Sequence, residues 1–158
     1  MANTQSMCTS FMGELMTATH NFGTAPTRGT STADTFKAAL YLTTATVNAS
    51  TTAYSATNEV SGTNYTAGGV TVTNATPPTA TNSSATAGVA YWTPSASITY
   101  TNVTLSTAFD CVLIYNSTQS DKAVSVHTFS SQTVTAGTFT LTMPSNTTST
   151  ALLRLATT

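Results

Sequence analysis

At 158 residues the chain has room for one domain with a real core and is short for two. Four basic and five acidic residues make up only 6% of it, against roughly 25% in ordinary globular domains. A net charge of −1 with scattered basic residues excludes the phosphate-neutralising footprint of a nucleic-acid binder, and no apolar run reaches the ~18 residues of a membrane span.

No basic region precedes an apolar core at the N-terminus, so no secretory signal is visible and synthesis in a cytoplasm is expected. Cys8 and Cys111 are then expected as free thiols. Residues 5–18 read as a helix. Met7, Phe11 and Leu15 recur at four-residue steps with Met12 and Met16 beside them, forming one apolar stripe. Thr4 or Ser6 can cap its start, and Gly13 weakens its middle. His20 follows, where a positive charge would favour the helix C-terminus. Residues 21–34, with Gly23, Pro26 and Gly29, read as a loop. Residues 1–33 are therefore expected to be a helix and linker arm, ahead of a β domain over 34–158.

From Thr35 the apolar period changes from 3.6 to 2. Phe36, Ala38, Leu40 and Leu42 share one face of a strand, and Val70 and Val72 alternate with threonines after the Gly68–Gly69 turn. Residues 74–88 lack large apolar side chains and read as a mobile surface loop. Tyr91–Trp92 form a short strand before Pro94, and 98–105 form another. Phe109 to Tyr115 is apolar on nearly both faces, as a central strand requires. Asn116 to Asp121 has hairpin composition and leads into an alternating run over 122–129. Phe139, Leu141 and Met143 alternate with threonines, and 151–156 end the set.

Threonine fills about a quarter of the chain. Its branched Cβ favours strands and its hydroxyl suits the solvent side of a sheet. Many short strands joined by Gly, Pro, Asn and Ser loops predict a mostly-β fold, an antiparallel β-sandwich or jelly-roll-like domain with one short N-terminal helix.

Catalytic chemistry has little to be built from. His127 alternates with Val124 and Val126 and reads as a surface strand histidine. Cys8, His20, Cys111 and His127 show no paired metal-ligand spacing, and the five carboxylates are dispersed. Serine and threonine hydroxyls without an activating base are not nucleophiles. The chain is expected to be non-enzymatic, with no catalytic residues, no cofactor and no metal. Seven Asn-x-Ser/Thr triplets, starting at Asn48, are what so much threonine produces by chance.

The segments DTFKAALY (34–41), EVSGTNYTAGGV (59–70), FDCVLIYN (109–116), KAVSVHTF (122–129), TAGTFTLTMPSN (135–146) and LLRLA (152–156) together resemble a family of small threonine-rich phage virion structural proteins. The resemblance covers roughly 34–156 and implies a virion component assembled in a host bacterial cytoplasm. The leading expectation is a head decoration or cement protein, a homo-oligomer bound to the major capsid protein. A tail or head–tail connector is the alternative, and a receptor- or glycan-binding module stacking sugars on Tyr91, Trp92 or Tyr100 is a third. The N-terminal stripe of Met7, Phe11, Met12, Leu15 and Met16 fits two roles, docking to a partner or covering an open face of its own sandwich. Together with Trp92 these are the candidate interaction residues.

Overall fold

Among the described residues, eight antiparallel strands form two sheets, most of them on the period-two segments. The computed structural model describes residues 3–16, 19–22, 33–74, 76–81 and 88–156. In chain order its elements are β1 (Ser6–Met7), α1 (Thr9–Met16), β2 (Phe36–Leu42), β3 (Val70–Thr71), β4 (Thr79–Thr81), β5 (Val89–Trp92), β6 (Ile98–Asn116), β7 (Lys122–Leu141) and β8 (Leu153–Ala156). The larger sheet runs β1-β7-β6-β2-β3 and the smaller β4-β5-β8. The mostly-β, antiparallel expectation holds, while jelly-roll connectivity is not evident in this strand order.

The β6–β7 hairpin dominates. Strands expected separately at 98–105 and 109–115 are one strand, as are those at 122–129 and 139–143 up to Leu141. Register shifts between Tyr100 and Cys111 absorb the irregular residues, with Asn102 and Ala136 at positive φ, so pairing resumes beyond each interruption. Phe109, Leu113, Ile114, Val124 and Val126 are fully buried along its central part. Burial of each such side chain contributes about 1.5–3 kcal/mol. β2 pairs with β6 from Phe36↔Asn116 to Leu42↔Phe109 and is buried on both faces, not on one.

The turn at Asn116 has a local cause. Its side-chain oxygen accepts the backbone N–H groups of Thr118 and Gln119, at 3.1 and 3.2 Å, which bends the chain back toward Lys122. At β3 the backbone of Gly69, at φ +72°, lies so close to β2 that a Cβ would stand 1.7 Å from the Ala38 oxygen. Only glycine fits there.

The N-terminal segment is not a separate arm. β1 pairs with β7 through Ser6↔Val126 and Met7↔Ser125, the Asn3 amide reaches the Leu42 carbonyl and Asp110, and Cys8 N–H donates to the Val124 carbonyl. The predicted helix over 5–18 is shorter, because Ser6 and Met7 are taken by the sheet edge. Cys8 and Phe11 join the same buried cluster as Phe36, Trp92 and Leu113. The expected loop over 74–88 is also corrected in part. Thr79–Thr81 pair with Val89–Tyr91, whereas residues 75 and 82–87, like 23–32 of the earlier loop, lie outside the described residues.

Both cysteines are free and wholly buried. Burial first, then the Glu14 carboxylate, pushes the Cys8 thiol up to about 11; burial and then Asp110 push Cys111 up to about 12. A bulky thiol reagent at pH 8 should therefore label neither cysteine in the folded chain and both after denaturation. Mass spectrometry of the labelled protein checks this.

Candidate functional site

Two partly buried polar networks hold most of the ionisable chemistry among the described residues. The first joins the N-terminal segment to the hairpin turn. His20 follows α1, and its side chain is sealed from solvent. The Phe11 ring meets it edge-on at 4.9 Å, with Phe22 and Phe36 also beside it. Its Nε2 lies 2.6 Å from Glu14 Oε2, and its Nδ1 lies 3.1 Å from the Asn116 side-chain nitrogen. That nitrogen also donates to Asp34 Oδ2 at 2.7 Å.

The hydrogen-bond pattern fixes the tautomer. Asn116 Oδ1 faces two backbone donors, so Nδ2 must be the donor to both Asp34 and His20. His20 Nδ1 is then an acceptor, and Nε2 carries the proton donated to Glu14. Lys122 donates to the other Glu14 oxygen at 2.7 Å. Burial alone would raise the Glu14 carboxyl, but the bonds from Lys122 and His20 outweigh it and hold it below its usual value. No serine, threonine or cysteine hydrogen-bonds this histidine among the described residues, so the arrangement is a clamp and not a nucleophile–base pair.

The second network surrounds Glu59 on the long β2–β3 connection. Its carboxylate is buried and accepts three hydrogen bonds, from Tyr54 at 2.6 Å, Tyr65 at 2.8 Å and the Gly68 N–H at 2.7 Å. Tyr65 in turn accepts the Leu40 N–H. Tyr115 donates to the Gly68 carbonyl and stacks on Tyr54, while Tyr100 donates to the Ala38 carbonyl and stacks on Tyr65. Burial and then neighbouring carboxylates raise these phenols, Tyr115 to about 12, so they serve as neutral donors. Glu59 is thus a strap that fastens the connection to β2.

Of the candidate interaction residues, Phe11 and Trp92 lie in the interior. Phe11 and Trp92 are each 2% exposed, which corrects their assignment as interaction residues. The Trp92 indole N–H donates to the Asn74 side chain at 2.8 Å, and its ring packs on Phe22 at 4.7 Å. Tyr100 is buried too, so the proposed sugar-stacking face is not formed. Met7 and Leu15 are half-buried against the core, and the side chains of Met12 and Met16 lie outside the described residues. An apolar groove of about 90 Å³ is lined by Leu15, Trp92 and Leu155 among others.

His127 departs from its expected surface position. It is half-buried beside Val112, Ile114 and Phe129, with Nε2 2.9 Å from the Ser125 hydroxyl, and burial pushes it down to about 4. Sequence reasoning missed both networks. Their one local signal was the spacing of Tyr54, Glu59 and Tyr65.

Among the described residues no three His, Cys, Asp or Glu side chains converge in a metal-holding group, and no helix is long and apolar enough to cross a membrane. No family model, no curated protein and no solved structure matches the chain.

Replacing Glu59 by leucine leaves three donors without their acceptor, the buried Gly68 N–H and two part-buried phenols. Glu59→Leu should cost at least about 2 kcal/mol in chemical denaturation. His127 generates a second expectation. Its folded form resists protonation, so the unfolded chain binds the proton first and stability falls as pH drops from about 6.5 toward about 4. The contribution is at most about 1.4 kcal/mol per pH unit, and His127→Gln should flatten it in denaturation measured across that window.

Proposed function

We propose that this protein is a non-enzymatic structural component of a bacteriophage virion, a capsid decoration protein that self-associates and binds the major capsid protein. The observation that carries the reading is where the charges go. Of the eight charged side chains among the described residues, six are engaged within the chain: Glu14, Lys122, Asp34, Glu59, Asp110 and Arg154. What faces solvent along the sheet is then largely threonine, serine and backbone. Such a surface binds a repeated lattice through hydrogen bonds and apolar contacts, which salt screens little. It also needs no catalytic centre or cofactor.

Copy number in purified particles tests the assignment. Quantitative mass spectrometry should find on the order of hundreds of copies per particle for a protein covering a symmetric head lattice. About a dozen or fewer would instead assign it to a tail or head–tail ring. Absence from particles would reject both.

A further inference from the structure

β7 is paired along one edge by β6 from end to end. Its other edge is covered by β1 only at Ser125 and Val126. Among the described residues no strand pairs with that edge from His127 to Leu141. An open edge exposes unpaired N–H and C=O groups and recruits another strand unless charge, proline or a covering element blocks it. Here the chain carries no Asp, Glu, Lys, Arg or Pro between Ala123 and Met143.

The edge is shaped instead by bulges. One lies between Thr128 and Gln132, where four steps of β7 face two of β6, and the other between Gly137 and Val134, with Ala136 at φ 45°. The two bulges flank Thr133 on either side. An antiparallel two-fold axis at Thr133 sets each bend of one copy against the opposite bend of the other.

We propose that the His127–Leu141 edge of β7 is a self-association site, where two copies of this chain pair antiparallel about Thr133 into one continuous sheet. Like faces like without repulsion because the strand is uncharged, and threonine–threonine pairs across strands are favourable. The opposite edge of the sheet is β3, only two residues long, so pairing closes at two copies and does not propagate. The inference deepens the self-association part of the reading above and does not depend on the particle part.

The purified full chain tests it without any particle, so its failure is separate from that of the virion assignment. Sedimentation equilibrium should show a dimer. Thr133, an exposed position, should become repulsive as Thr133→Lys or Thr133→Glu, each raising the dimer dissociation constant at least tenfold. Mixing the two variants should restore the dimer, and Ser61→Lys, exposed elsewhere, should leave it unchanged. As a second readout, Thr133→Cys should oxidise to a covalent dimer with unchanged circular dichroism. A monomer at all concentrations, a dimer indifferent to Thr133→Lys, or no covalent dimer from Thr133→Cys would overturn the proposal.

Discussion

The Asn116 side chain is the constraint on which the rest depends. It is completely buried, and its amide uses all four of its hydrogen-bonding positions. Two bonds shape the turn between the two longest strands. One holds Asp34 just ahead of β2, and one holds His20, through which Glu14 and Lys122 are placed. A single neutral group therefore sets the hairpin, the entry of its neighbour strand and the docking of the N-terminal segment. In a dry site each bond is stronger than in water, and each lost partner costs more.

The scarcity of charge makes such groups decisive. A chain with nine charged residues cannot distribute its polar stabilisation over many surface ion pairs, which are worth little in any case. It concentrates carboxylates where neutral donors converge. Glu59 receives two phenols and a backbone N–H, and Asp34 receives amides from Asn116 and Gln119 and the backbone N–H of Asn21. These bonds fasten connections that have few strands of their own, leaving the large apolar side chains to the two sheets.

The strands were legible because their signal is local. Alternation over 36–42 and 122–129 and the apolar run over 109–115 reveal the strands, though not their burial, since residues 38–41 and 123–126 are buried on both faces, and Asn116 is a turn residue on chemical grounds. The joining of short runs into β6 and β7 was hidden, since bulges break the alternation without ending the strand. The fate of the N-terminal stripe was hidden for a different reason. Periodicity reveals that Phe11 and Leu15 are apolar together, but whether they meet another molecule or the chain's own core depends on contacts far along the sequence. Here the answer lies in His20 and Asn116, 96 positions apart.

The buried N-terminal contacts also decide how much of β7 stays open. β1 stops after Met7 because Cys8 turns inward, at no exposure, and α1 then carries Phe11 onto the rings of His20 and Phe22. On the side of β1 that faces Thr128 the chain leaves the edge, because the Thr4 N–H donates to the Val47 carbonyl and the Asn3 amide reaches Leu42 and Asp110. β1 therefore covers β7 only at Ser125 and Val126, and the uncharged length beyond them has no strand beside it among the described residues. The contacts that draw Asn3 and Thr4 toward Leu42 and Val47 thus set where the cover on β7 ends.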